Sequence, residues 1–277
     1  MSAMDTSETL ATRAVGGDAA ALTELCRRLQ GPIFRLCVRM MGHVGDAEDA
    51  TQDVLVQIVT HLGQFAHESA LSTWAHRIAV RHVLALRARR RDLPALDEAT
   101  FAAMLERGLA YGRDNPSPGP EDEAFVTEVR LACTQGMLMM LSPDERLALV
   151  LVELLGFDTL EAAAIAEVKP DALRQRLSRA RSRLVTFVEG HCGLARDDAA
   201  CRCAAQVPAK LRRPDATEPS FAARAGADLP MPRVDAAREE LAAVRTLAAV
   251  YRRQGALEPS PALQARVRAS LPILLTD

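Results

Sequence analysis

The six residues Asn115-Pro-Ser-Pro-Gly-Pro120 cannot continue a helix or sit inside a sheet. Each proline removes a backbone donor and pushes the residue before it out of helical space. A chain of 277 residues with such a run near its middle is divided there. The surrounding stretch, residues 92–128, holds nine acids (Asp92, Asp97, Glu98, Glu106, Asp114, Glu121, Asp122, Glu123, Glu128) against Arg107 and Arg113. It reads as an acidic linker with a short helix over Ala99–Leu109. As flexible coil it spans on the order of 30–35 Å.

On both sides the pattern is helical. Asp18–Met41 starts at a capping Asp and is interrupted at Gly31-Pro32, which predicts a break or kink. Asp46–Leu62 and Ser69–Arg91 follow across short links, so residues 5–91 read as a helical bundle. Aromatic residues make up only 4% of the chain, which disfavours sandwiches and barrels, while 49% hydrophobic residues suffice for a packed core. The expected class is all-α, with two small bundles, the linker and a partly helical C-terminal extension.

Residues 129–190 form the second bundle. Ser142-Pro-Asp-Glu145 combines a capping Ser, Pro at the first helical position and Glu three residues on. The helix it opens ends at Gly156. A short helix over Thr159–Glu167, a tight turn and a last helix capped by Asp171 and reaching about Val188 give a helix-turn-helix pattern. In that last helix Leu173, Leu177, Ala180 and Leu184 share one apolar side. Gln175, Ser178 and Ser182 lie opposite, flanked by Arg174 and Arg181 on one edge and Arg176, Arg179 and Arg183 on the other. Short polar groups for base edges between arginines for phosphates suit a major groove. An Arg-rich face is also common on ordinary surface helices.

The Asp46 helix has the opposite character. Ala47, Ala50, Val54, Ile58 and Leu62 make its core side; Glu48, Asp49, Gln52, Asp53 and Thr60 gather on the other, with Val56 and Val59. Acids and amides among β-branched residues suggest a protein-binding face, unless the valines pack on a neighbouring helix. The Ser69 helix carries Arg77 and Arg81 one turn apart, then Arg87, Arg89, Arg90 and Arg91 with no acid between. Phe65, His67 and Trp74 stand beside them. Basic residues next to aromatics can grip an unstacked single strand, and Phe65 and Trp74 can equally serve a core.

These residues have a family likeness. Asp46-Ala-Glu-Asp-Ala-Thr-Gln-Asp53, Phe65 and Leu71-Ser-Thr-Trp-Ala-His-Arg-Ile-Ala79 resemble region 2 of the extracytoplasmic-function sigma factors, promoter-recognition subunits of bacterial RNA polymerase. Leu141-Ser-Pro-Asp-Glu-Arg-Leu-Ala-Leu149, Gly156-Phe-Asp-Thr159 and Leu173-Arg-Gln-Arg-Leu-Ser-Arg-Ala-Arg181 resemble region 4. The likeness covers about residues 8–190. Glu167 stands where the turn commonly carries Gly, and Ala162 where a larger aliphatic is usual.

The resemblance implies roles. Asp46, Glu48, Asp49, Gln52, Asp53 and Val56 would meet the clamp of the polymerase largest subunit. Phe65, Ser72 and Trp74 would capture a flipped base of the minus-ten element, with Arg77, Arg81 and His82 on the DNA beside it. Arg174, Gln175, Arg176, Ser178, Arg179, Ser182 and Arg183 would read the minus-thirty-five element. The linker would run toward the RNA exit path. Core polymerase and promoter DNA are the implied partners; bond-making chemistry would belong to the polymerase. The competing reading is a helix-turn-helix regulator acting without polymerase, which needs neither the acidic Asp46 face nor the basic-aromatic Trp74 helix. An enzyme is disfavoured, for the chain shows no phosphate loop, paired-His motif or nucleophile elbow.

Residues 191–277 lie outside the likeness. Cys192, Cys201 and Cys203, with His191, leave three readings open: free structural thiols, a zinc site, or a redox disulfide from Cys192 to Cys201 or Cys203. No cofactor is otherwise required. Cys26, Cys37 and Cys133 fall in helices and read as core. A helix over Val234–Gln254 and a shorter one over Pro261–Leu271 close the chain. The former carries an apolar stripe that suggests restraint of the sigma modules by the extension, or binding of a separate regulator such as an anti-sigma factor. The polar N-terminus and the absence of a long apolar run predict no membrane insertion and a cytoplasmic location.

Overall fold

Caps and breakers place the helices. In the computed structural model, residues 6–89, 96–116, 123–212 and 258–274 are described. They are helical apart from connections and one isolated bridge, and they fall into two compact units. One unit comprises residues 1–91, 157–173 and 258–277; the other comprises 92–156 and 174–257. These units cut across the sequence segments: the first helix of the helix-turn-helix goes with the N-terminal bundle, and the linker goes with the second unit.

The first unit begins with α1 (Ser7–Val15), capped by Thr6. Helix α2 (Ala19–Met41) starts where Asp18 accepts the amides of Ala20 and Ala21 at 3.0 Å each. It ends at Gly42, whose φ of 80° suits a residue without a side chain. The expected break at Gly31-Pro32 does not occur, for α2 runs through Pro32. Leu29, Gln30, Gly31, Ile33 and Phe34 are all buried there, so packing on both sides of the proline offsets the lost backbone bond. Helix α3 (Val44–Thr60) is capped by His43 and buries Ala47, Ala50, Val54, Leu55 and Ile58. Helix α4 (Leu71–Arg89) buries Leu71, Ala75, Ala79 and Val83.

Side chains from one helix satisfy the ends of another. Glu8 accepts the Leu71 amide at 3.2 Å, so α1 caps α4, and this bond helps hold the Glu8 carboxyl below its usual pKa. Arg87 of α4 donates to the Met40 carbonyl at 2.6 Å, closing the end of α2. Three pieces of this unit come from later in the chain: Phe157, which meets His76 edge to face at 4.8 Å; α8 (Thr159–Ala166), packed on α4; and the final helix described below.

The second unit holds α5 (Glu98–Asp114), α6 (Glu123–Met140), α7 (Pro143–Leu149) with a π turn over Val150–Leu154, most of α9 (Pro170–His191) and α10 (Cys203–Leu211). Ser142 and Glu145 form the expected capping box. Arg146 is 1% exposed. Its Nε donates to Leu138 O at 2.7 Å, and its Nη2 donates to Met139 O and Leu141 O at 3.0 Å each. A permanent cation thus closes the negative end of α6 and fixes α7 to it.

The stretch read as a linker is largely helix. In place of a short Ala99–Leu109 helix, α5 spans Glu98–Asp114 and packs on α10, which formed no part of the sequence reading. A Cβ on Gly112 would lie 2.2 Å from the Ala205 carbonyl, so glycine permits the close approach. Gln206, 9% exposed, donates to Leu105 O at 2.8 Å. Buried Glu128 pairs with Lys210 at 3.3 Å. Mutual burial, invisible to local charge counting, makes the acidic stretch helical.

The chain closes with α11 (Pro261–Leu274), three residues longer than expected and packed on α2 and α3 in the first unit. The expected Val234–Gln254 helix lies outside the described residues.

Candidate polymerase and nucleic-acid interface

On α3 the acidic side chains share one face, but they are not equally open. Asp49 and Asp53 are exposed; Asp46, Glu48, Gln52 and Val56 are half-buried. Asp46 lies 3.6 Å from His43. Asp53 lies 3.5 Å from His82, whose other ring nitrogen meets Gln57 at 2.9 Å. Arg266 of α11 reaches Asp49 at 3.2 Å and Glu48 at 3.8 Å. Val56 and Val59 line a narrow crevice with Gln52 and, from α11, Val267 and Ser270. The valines expected on a protein-binding face are therefore partly covered by a helix of the same chain.

The expected minus-ten residues divide. Phe65, expected on the strand-capturing loop, is 7% exposed. Its ring lies 5.5 Å from Trp74 and 4.4 Å from His67, so it supports an aromatic cluster from within. Trp74 is half-buried, and Ser72 is exposed on the first turn of α4. Arg77 is half-buried, with its Nε lacking a hydrogen-bond partner. Arg81 is exposed and forms an ion pair with Glu167. His82 is half-buried, and its ring bridges α4 to Gln57 and Asp53 of α3; burial lowers its pKa against the pull of Asp53, with Arg89 adding to the lowering.

Helix α9 matches its sequence reading closely. Leu173, Leu177, Ala180 and Leu184 are all buried, and Gln175, Ser178 and Ser182 are exposed. It starts at Pro170 rather than at an Asp171 cap, and it reaches His191. The flanking arginines are held by acids beneath them. Arg176 pairs with Asp144 at 2.8 Å, Arg183 and Arg179 with Glu145 at 3.1 and 3.5 Å, and Arg181 with Glu153. The capping residue Glu145 thus also orients two arginines at the rim of the polar stripe, a second role that its capping motif did not reveal.

The turn before α9 is set by Glu167. Its φ of 54° and ψ of 43° place it in the left-handed region, which explains why Gly is the more usual residue there. Asp158 and Glu161 form a capping box at the start of α8.

The tail thiols gather in the second unit. Cys192, Cys201 and Cys203 line a cavity of about 550 Å³ together with His191 and Cys133. Cys133 is thus cavity-lining rather than simple core. The backbones of Cys192 and Cys201 form a bridge, and Gly193 donates to Cys201 O at 2.9 Å. Burial raises the pKa of both thiols. Among the described residues, no three His, Cys, Asp or Glu side chains are arranged to hold a metal ion as they stand. All six thiols are free. Among the described residues no helix is long and apolar enough to cross a membrane.

Residues 25–92 match Sigma-70 region 2, and residues 131–184 match Sigma-70, region 4. The ECF RNA polymerase sigma factor SigC of Mycobacterium tuberculosis is 31% identical over 181 residues, 65% of this chain and 90% of that protein. The RNA polymerase sigma-H factor of Pseudomonas aeruginosa is 28% identical over 185 residues, 65% of this chain and 93% of the relative. Among solved structures, CnrH in complex with the cytosolic domain of CnrY aligns with a TM-score of 0.47 and 24% identity, over 67% of this chain and 99% of that one. Both sigma regions are present in order, and a relative above 30% identity is spanned over nine-tenths of its length. The chain belongs to the extracytoplasmic-function sigma factors of RNA polymerase.

Proposed function

We propose that α3 is the helix by which this sigma factor docks on core polymerase, and that α4 and α9 are its two DNA-reading elements. As a sigma factor the chain directs RNA polymerase to promoters and initiates transcription; the family is a non-catalytic initiation factor. The observation that carries the assignment of faces is their chemical opposition. Helix α3 presents Asp49 and Asp53 to solvent, and α9 presents Gln175, Ser178 and Ser182 between arginines. Carboxylates repel a phosphate backbone, so α3 suits a basic protein partner. Short polar side chains with an arginine rim suit a duplex major groove. On α4, Ser72 and Trp74 with Arg77 and Arg81 supply a stacking surface and phosphate partners for the opened minus-ten strand. Its place of action is the cytoplasm, where polymerase and promoter are found.

A regulator acting without polymerase would leave the region 2 match and the acidic α3 face without a role. Run-off transcription with purified core polymerase tests the reading. Defined start sites are expected only when the protein is added. The double reversal Asp49→Arg and Asp53→Arg should weaken core association about a hundredfold, since each tenfold step corresponds to ~1.4 kcal/mol and two charge pairs turn repulsive. Core association unchanged by the reversal would overturn the docking assignment.

A further inference from the structure

We propose that α11 is a built-in competitor of core polymerase: it occupies the docking face of α3 and must leave before polymerase can bind. The inference rests on the assignment of α3 above and adds how that face is controlled.

The contact is built for this face. Ser260 caps α11, accepting the Leu263 amide at 3.1 Å. Leu263 and Val267, one turn apart, are 0% and 6% exposed. Val267 and Ser270 close the crevice formed by Gln52, Val56 and Val59. Arg266, between the two apolar residues, turns to Asp49 and Glu48. Ahead of the helix, Glu258 pairs with Arg35 of α2 at 3.0 Å. An apolar stripe, a cation for the acids of α3 and an anion for the arginine of α2 thus meet complementary groups together.

The groups covered are the ones a polymerase would need. Glu48, Asp49, Gln52 and Val56 all touch or face α11. A basic partner for the same carboxylates must displace Arg266, and a partner seated on Val56 must displace Val267. Two occupants cannot share the face. Because α11 is covalently attached, its local concentration is of millimolar order, and even a weak contact competes. The apparent affinity for core is then reduced by the fraction of molecules in which α3 is uncovered.

The experiment uses the full chain and three variants. Leu263→Glu replaces the buried apolar anchor with a carboxylate; Arg266→Glu reverses the charge and leaves the core side chains untouched. Hydrogen exchange over residues 48–59 and 261–270 reads whether α11 is seated. Binding to fluorescently labelled core polymerase reads the consequence. Leu263→Glu should speed exchange in both segments and tighten core binding roughly tenfold, and Arg266→Glu roughly threefold. Faster exchange with unchanged core affinity in both variants would overturn the proposal. If Leu263→Glu impairs folding, the exposed position of Arg266 keeps the test decisive through Arg266→Glu alone. The third variant, Asp53→Arg, reverses a carboxylate outside the Arg266 pair and separates the two claims: loss of core binding there, with no gain in the α11 variants, sinks the competitor and leaves the docking assignment standing. Unchanged core binding in Asp53→Arg overturns both.

Discussion

Helices α3 and α9 carry opposite charges, and the protein treats their functional faces in opposite ways. Acids from α7 and the π turn hold the arginines of α9 from the flanks, and the polar stripe Gln175, Ser178 and Ser182 stays open to solvent. The acids of α3 meet an arginine that arrives on top of the face, with a helix behind it. Flanking charges orient a surface without blocking it, whereas a capping charge on an apolar helix competes with any partner. The difference lies in where the counter-charge comes from: Glu145 of α7 is 38 positions from Arg183, and Arg266 of α11 is 217 positions from Asp49.

The largest test of this contrast concerns the platform under α9. Arg146→Met takes the guanidinium from the carbonyls of Leu138, Met139 and Leu141, of which Leu138 keeps the Leu141 amide, and removes the cation that α7 supplies. The expected cost is about 3–5 kcal/mol, because one partner of a fully buried charged network is lost. Urea denaturation checks it. A loss under about 1 kcal/mol would mean that α9 does not depend on this fastening.

The first unit contains a buried cation-former of a different kind. His76 is 3% exposed, donates from Nδ1 to the Ser72 carbonyl at 2.8 Å, and has no partner at Nε2. Burial lowers its pKa from 6.5 to about 4. The unfolded chain therefore takes up the proton first as pH falls. Stability from this group is complete above pH 6.5 and is lost progressively toward pH 4. Its loss amounts to about 3 kcal/mol, each pKa unit corresponding to ~1.4 kcal/mol. Arg146 does not titrate in this range, so the unit bearing α3 should be the acid-sensitive one. His76→Phe should flatten the loss between pH 7 and pH 4.5 in urea melts; an unchanged pH profile would remove the role of His76.

Several of these features were legible in the residues themselves. The Ser142 capping box and the apolar stripe of α9 are local signals, written within one or two turns, and both appear as read. The extent of α5 and the existence of α10 depend on each other across about ninety positions, whereas the core role of Phe65 was one of two readings its neighbours left open. Pro208 inside α10 argued locally against a helix; Gln206 and Val207, buried in the second unit, outweigh it. The pairing of Arg266 with Asp49 had no local signature, since one arginine in a short C-terminal helix looks like any solvated charge.

The open face of α9 gives a smaller effect. Arg176 is half-buried, whereas Arg174 is exposed at the edge of the stripe. Arg174→Gln should lower the slope of log affinity against log salt by about 0.9 for holoenzyme on promoter DNA, one phosphate contact's share. Arg176→Gln should change the slope less. Equal changes at both positions would show that exposure at the edge of the stripe does not sort these arginines.

The smallest effect lies in the turn between α8 and α9. Glu167 holds a left-handed conformation that costs a residue with a side chain roughly 1–2 kcal/mol and costs glycine almost nothing. Its carboxylate returns part of that through the exposed pair with Arg81, a contact worth about 0.2–1 kcal/mol after solvent screening. Glu167→Gly should therefore stabilise the protein by about 0.5 kcal/mol. It should also release Arg81 on α4. Promoter opening and the urea midpoint are then expected to rise together, and the midpoint gain should grow at high salt, where the parent's ion pair is screened. A destabilised Glu167→Gly would mean that the pair outweighs the strain, and that the counter-charge on Arg81 is structural in the same sense as the acids beneath α9.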